Sequence, residues 1–506
     1  MKTRNRAIIL SLAALAAACG GQRGDDESSP ASTSVDDTTT SVDDTTTTVG
    51  AATTTEGTAA VASTPGTEVT TTEAEATTTE AEATTTTEAA PASLIDLADC
   101  PADYNPIEGV TEDEIRFASS VPQSGPAGTF NFIASGIRSY FNYYNATKGG
   151  YEGRNLVLDI KDDVYEPNRT LENVEEFLGS DQRPFAFLGM IGTPNNLFVW
   201  DKINEACIPH LYVLTGAAEW GADIPTHPWS VGVLPVYQLE VGVFLDYLVE
   251  QNPGVKTLAL LYQNDDYGES YRMGLEKAAA EHGLEIVATE THERGETIID
   301  IQINNLAESG ADVFIGGITG DACTNAIRAI GESAWDPILY ISQTCTSKNF
   351  LDAAGPDGAT GADKHAADVY SVTYIQDPSN PAFASSPGMS EYLANVEVYK
   401  DPNMPMLPNV GITAVGWQIG ELVAATLESA GELSRPAIMD AARSLDFDGS
   451  MLLDGVSFQT GGTADPYALE QFSVVQYDGT NYKYSEIRDY EGRTLDFVDV
   501  DDLALE

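Results

Sequence analysis

From residue 114 to about residue 342 the chain alternates strand-like and helix-like segments almost without interruption, and that regularity restricts the fold more than any other feature. Residues 114–121 read as a strand. Residues 131–146 read as a helix, with Phe132, Ile133, Ile137, Tyr140, Phe141 and Tyr144 at helical spacing. A strand over 156–160, a helix over 168–178, a continuous apolar strand over 185–191, a helix over 195–206 and a strand over 209–214 complete a first block. The alternation then restarts with helix 236–250, strand 257–262, helix 268–282, strand 284–288, helix 298–309, strand 312–318, helix 322–334 and strand 338–342. Strands alternating with helices pair in parallel and need both faces covered. The expected fold class is therefore α/β, two doubly wound, mainly parallel-sheet lobes with a ligand cleft between them. Beyond residue 375 the pattern loosens to one long helix over 413–430 and a hairpin, 470–477 with 482–485, about Asp478-Gly479.

The first 93 residues belong to no domain of this kind. Lys2, Arg4 and Arg6 precede an apolar run over 7–17, too short to span a bilayer, which ends in small residues leading to Cys19. That arrangement resembles a bacterial lipobox, with 1–19 as the signal peptide and Cys19 as the site of lipidation. The expected location is extracytoplasmic, lipid-anchored to the cell membrane. Residues 20–93 are rich in Thr, Ala, Glu, Asp and Ser and carry no aromatic residue, so they lack the means to offset the entropy of ordering. They read as a disordered tether with a root-mean-square reach of about 45–50 Å.

Charge narrows the partners. With 78 acidic residues against 25 Lys and Arg, the net charge of −53 excludes nucleic acid, which needs basic patches, and accounts for solubility. Four cysteines follow Cys19, and an even number in an exported chain suggests disulfides with three possible pairings. Cys323 lies in the first turn of a helix and Cys345 just past the next strand. Adjacent strand ends fall within a disulfide's Cα reach of about 4.4–6.8 Å, which favours Cys323–Cys345. Cys100 with Cys207 is what remains, a pairing that sequence order leaves open.

Parallel α/β sheets bind ligands at the C-terminal ends of their strands. That rule selects loops 119–129, 189–195 and 215–220 in the first block, and 263–268, 317–321 (with Thr319) and 342–347 in the second. In Gly192-Thr193-Pro194, Thr193 is expected as an N-cap with Pro194 at N1, leaving helix N–H groups to favour a carboxylate. Thr215-Gly216-Ala217 offers backbone amides from small residues, and Tyr267 an aromatic lid. The five histidines show no metal-ligand spacing, and there is no nucleophile elbow or phosphate loop. No catalytic residue, cofactor or metal is expected.

In order and spacing, residues 121–130 (VPQSGPAGTF), 189–196 (GMIGTPNN), 213–232, 258–276 (LALLYQNDDYGESYRMGLE) and 312–342 resemble type I periplasmic binding proteins of the branched-chain amino acid (leucine/isoleucine/valine-binding) family. The resemblance spans residues 110–485. It implies a monomeric solute-binding component of an ABC importer, with a small-molecule solute and a membrane permease as partners. It also implies two lobes, 94–235 with 372–450 and 236–371 with 451–506, joined by crossovers near 230–235, 370–374 and 448–455. Carried over by position, Thr193 and the Thr215–Ala217 amides would hold a ligand carboxylate, Phe130 would line the pocket and Tyr267 would cover the ligand. Leucine-type members place an acidic residue after the strand matching 338–342, to pair with the ligand ammonium. Here Gln343, Thr344 and Cys345 follow, and no acid falls between Ser342 and Asn349. An unpaired ammonium in a cleft is costly, so a small carboxylate, aromatic acid or amide is expected instead. A ligand sensor for a membrane signalling partner and an anchored enzyme are the alternative classes.

Overall fold

A computed structural model describes residues 93–355, 368–498, 500 and 503. Cys19, the signal peptide and the tether to residue 92 lie outside the described residues. The first sheet contains β1 (Glu114–Val121), β2 (Asn155–Asp162), β3 (Ala186–Leu188), β4 (His210–Val213) and β5 (Ser230–Gly232). Its order is β2-β1-β3-β4-β5, every neighbouring pair parallel. Helices α1 (Asn131–Lys148), α2 (Pro167–Gly179), α3 (Thr193–Leu197), α4 (Trp200–Glu205) and α5 (Glu219–Ala222) connect its strands. β3 is buried throughout, as its uninterrupted apolar sequence requires.

The chain then enters a second sheet through α6 (Tyr237–Gln251). Strands β6 (Thr257–Gln263), β7 (Glu285–His292), β8 (Val313–Gly317), β9 (Ile338–Ile341) and β10 (Val369–Thr373) alternate with α7 (Asp266–His282), α8 (Asp300–Glu308), α9 (Asp321–Glu332) and α10 (Lys348–Ala354). After β10 the chain leaves for α11 (Pro387–Asn395), α12 (Gly411–Ser429) and α13 (Arg435–Ala442). A two-stranded ribbon of β11 (Asp446–Phe447) and β12 (Phe458–Gln459) follows. The antiparallel hairpin β13 (Gln471–Tyr477) and β14 (Tyr482–Asp489) then closes the second sheet, in the order β14-β13-β10-β9-β8-β6-β7.

α12 returns the late helices to the first sheet by packing on α1. Gly136 and Gly416 make that crossing possible: a Cβ on Gly136 would lie 2.3 Å from the Thr413 carbonyl, and one on Gly416 1.9 Å from that of Ile133. The two later passages between the sheets run side by side. Ile375 bridges Leu452 antiparallel, and the Leu453 N–H donates to Tyr374 O at 3.0 Å. Disulfides join Cys100 to Cys207 and Cys323 to Cys345, each with Cα atoms 5.6 Å apart.

The single helix expected over 195–206 is instead two short ones, α3 and α4. Phe198 is 52 % exposed where the chain turns between them, while Trp200 and Ile203 are buried. Each half satisfies helical spacing by itself, which hides the break in a periodicity reading. Residues 370–373, placed in a crossover by sequence, are the body of β10: all four pair with β13, and Tyr370 also with Tyr340 of β9.

Candidate functional site

Both sheets change direction of strand order once, between β1 and β3 and between β6 and β8. At such switch points the loops on either side splay apart and leave a crevice. The loops after these four strands face one cavity of about 90 Å³. Phe130, ahead of α1, and Ile191-Gly192, ahead of α3, come from the first sheet. Tyr267 at the start of α7 and Thr319 after β8 come from the second, with Gln343, Thr344, Thr346 and Ser347 from the loop after β9. The connecting segments close the wall with Leu234, Tyr237, Tyr374 and Ile375, and α12 adds Gly411, Ile412 and Val415.

Two of these positions depend on unusual backbone. Gly192 has φ 99°, and a Cβ there would meet the Tyr165 ring at 2.5 Å. Val164 and Tyr165 are both left-handed, with φ 55° and 63°. Their N–H groups donate to Asp162 Oδ1 and Asp163 Oδ1, each at 2.9 Å, which holds the strained corner in place. Asp163 also accepts from Ser120 and Thr170 at 2.8 and 3.0 Å; its burial pushes its carboxyl up to about 6. This corner aims no charge at the cavity: it positions the Tyr165 ring in its wall.

Among the described residues, no Asp, Glu, Lys, Arg or His lines the cavity. Two buried polar atoms in its wall have no hydrogen-bond partner, the Gln343 amide nitrogen Nε2 and Ser347 Oγ. A buried donor left unmade costs about 1–3 kcal/mol, so these atoms mark where a solute's acceptor is wanted. Behind the wall lies Glu240 on α6, fully buried. It accepts from Tyr340 Oη at 2.5 Å, Tyr271 Oη at 2.8 Å and the Gln343 N–H at 2.9 Å. It thereby fixes the backbone that presents Gln343.

Of the residues selected from sequence, Phe130, Gly192, Tyr267, Thr319, Gln343 and Thr344 meet in this wall. Thr193, Thr215, Gly216 and Ala217 lie behind it. Thr193 is not an N-cap: Gly192 occupies that position with no side-chain cap, and the Thr193 hydroxyl bonds to that of Thr215. With five residues, α3 is a single turn of helix and lends little dipole to its N-terminus. The Ala217 N–H already donates to Thr215 Oγ1 at 3.3 Å. Tyr237 explains the rest. Its hydroxyl is within hydrogen-bonding reach of Thr215, the Gly216 backbone and Thr193, the cradle expected for a carboxylate. Burial pushes its phenol up to about 12. A Cβ on Gly216 would strike the Tyr237 ring at 2.8 Å.

Tyr267 is wall rather than lid. It is 2 % exposed, donates to the Ile318 carbonyl at 2.7 Å, and sets its ring edge-on to Tyr237 and Tyr271. Asp265 beside it is the N-cap of α7, accepting from the Tyr267 N–H at 3.2 Å. Sequence reasoning missed Tyr165, Tyr237, Tyr374, Ile412 and Ser347. Of these, Ser347 lay within a selected loop, and its hydroxyl was the available signal.

A family model described as a periplasmic binding protein matches residues 114–480. Among solved structures, a substrate-binding periplasmic protein from Ralstonia solanacearum is 20 % identical, over 74 % of this chain and 100 % of that one, with a TM-score of 0.63. A fatty acid ABC transporter substrate-binding protein from Thermomonospora curvata is 17 % identical, over 78 % and 97 %, at 0.63. A branched-chain amino acid ABC transporter protein from Thermus thermophilus, with bound valine, is 16 % identical, over 75 % and 97 %, at 0.64.

Proposed function

The chain belongs to the type I periplasmic binding protein family, and from that premise we propose that it is the solute-binding lipoprotein of an ABC importer. It takes one small carboxylate-bearing solute, an aromatic or aliphatic acid, an amino acid or an amide, between lobes formed by residues 94–235 with 372–450 and 236–371 with 451–506. Acylation of Cys19 and the Thr-rich tether keep the domain near its membrane permease.

The observation that carries this reading is the cavity itself. Loops from both sheets line it, its wall is mainly apolar and uncharged, and its unmet polar atoms are Gln343 Nε2 and Ser347 Oγ. A carboxylate or carboxamide oxygen satisfies the Gln343 donor, and an apolar body fills the remainder. An α-ammonium would find no carboxylate in the wall and a carboxylate no cation, so an amino acid brings two unpaired charges, an acid one that Gln343 Nε2 and Ser347 Oγ can hydrogen-bond, and an amide none. Acids and amides without an α-amino group are therefore favoured over leucine, isoleucine and valine. The Thermomonospora neighbour, named for a fatty acid, is consistent with this preference.

Calorimetry on the purified protein against a panel of aliphatic acids, aromatic acids, amides and amino acids tests it. One solute should bind per chain, unchanged by incubation, and Gln343→Leu should weaken it by about tenfold or more. Tight leucine binding would overturn the ligand class, and turnover of any panel member would overturn the binding role.

A further inference from the structure

The inner cavity is one part of the cleft. A second hollow of about 280 Å³ adjoins it, and Tyr165 and Thr319 stand in the walls of both. Its character is the opposite. Glu166, Gln263, His292, Arg294, Glu296 and Asp321 supply its polar lining. Glu166 comes from the first-sheet side, just ahead of α2. His292 ends β7, Arg294 and Glu296 follow it, and Asp321 opens α9.

His292 decides what this hollow accepts. It is 2 % exposed, and its Nδ1 lies 3.1 Å from the Glu293 carbonyl. A carbonyl oxygen only accepts, so Nδ1 carries the proton and Nε2 is left as an acceptor. That Nε2 is buried and has no partner. Burial also lowers the affinity of this ring for a second proton. Three carboxylates, Glu166, Glu296 and Asp321, face the same space against one cation. Arg294 is placed between acids, 3.8 Å from Glu166 and 3.9 Å from Asp265, and its buried Nε has no hydrogen-bond partner. The lining is net negative, three carboxylates against one guanidinium, so an anion is disfavoured and the buried His292 Nε2 asks for a donor.

We propose that this hollow is an outer chamber of the solute site, shaped for a hydrogen-bond-donating head group, an amine or hydroxyl, on a solute whose carboxylate and apolar body occupy the inner cavity. The inference rests on the acid-binding reading above. It narrows that class to chain-extended acids carrying a terminal amine or hydroxyl, with the Tyr165 ring and Thr319 at the junction.

The test is calorimetry on the purified protein with octanoate, 8-hydroxyoctanoate and 8-aminooctanoate, and with the tightest acid of the wider panel beside its terminal-amine analogue. The amine should bind about tenfold or more tighter than the unsubstituted acid, the gain expected of one charge-assisted hydrogen bond. That ratio should fall towards one in Glu296→Gln and in His292→Phe. Glu166→Gln, at an exposed position, repeats the test should the buried His292→Phe fail to fold. Equal affinity for acid and terminal amine overturns the outer chamber and leaves the acid-binding reading standing. So does an amine preference that survives these variants. If no acid or amide of the panel binds, the acid-binding reading falls and the chamber falls with it.

Discussion

Glu240 touches no cavity space, yet it holds Gln343 and two tyrosines in register from beneath. Desolvation pushes its carboxyl from 4.5 up to about 7, against the hydrogen bonds from Tyr340, Gln343 and Tyr271, which lower it. Because the folded value lies above the unfolded one, the folded protein keeps a proton that the unfolded chain has lost between these pH values. This contribution to stability is therefore complete below about 4.5 and is lost as pH rises through about 7. Glu240→Gln cannot titrate. Urea denaturation from pH 5 to 7 should show the variant gaining on the parent by on the order of 2 kcal/mol across that window. A constant difference would mean that Glu240 keeps its charge in the fold. His210 shows the converse case: burial pushes it down to about 3, and it bonds Asn196 at 2.9 Å as a neutral ring, a core histidine rather than a ligand.

Element identity followed from periodicity wherever an element was long enough to repeat its pattern. α1, α7 and α12 run 18, 17 and 19 residues, and each shows its buried stripe in sequence. β5 has three residues and α5 four, too few to display any period. The candidate site divided along similar lines. Strand ends can be read from pattern, so Phe130, Gly192, Tyr267, Thr319 and Gln343 were within reach. Tyr374 lines the cavity because the chain crosses between sheets there, and Ile412 because α12 packs on α1, tertiary facts with no local signature. The disulfides carry the prediction at this scale. Cys100–Cys207 closes 107 residues and Cys323–Cys345 only 22, so chain entropy assigns them about 5 and about 3 kcal/mol. The shorter bridge ties α9 to the loop after β9, and Cys345 Sγ lies 3.2 Å from the Ile318 carbonyl, next to Thr319. Replacing Cys100 and Cys207 by Ser should cost more stability in denaturant. Replacing Cys323 and Cys345 should cost less stability but more solute affinity by calorimetry. The reverse ranking would separate this bridge from the site.

At the scale of the whole molecule, the inner cavity poses a problem of access. Loops from both sheets wall it, and the Phe130 and Phe350 rings meet from opposite sides with centroids 6.1 Å apart. Tyr165 of the first-sheet side is buried beside Gln263 and Asp265 of the second. Parting these contacts would widen the way in for a solute. The sheets are joined by the stretch between β5 and α6 and by the paired strands around Ile375 and Leu452, both short enough to bend while each sheet stays rigid. We therefore expect small-angle scattering from the solute-free protein to report a larger radius of gyration than from the protein saturated with its best panel acid. Because the solute binds the closed form, 100-fold excess over Kd should add about 2.7 kcal/mol to the unfolding free energy, with a melting temperature that rises with solute concentration. Scattering that is identical with and without a bound solute would mean that entry needs no separation of the lobes. Movement of the Tyr237 or Tyr165 side chains would then have to admit the solute.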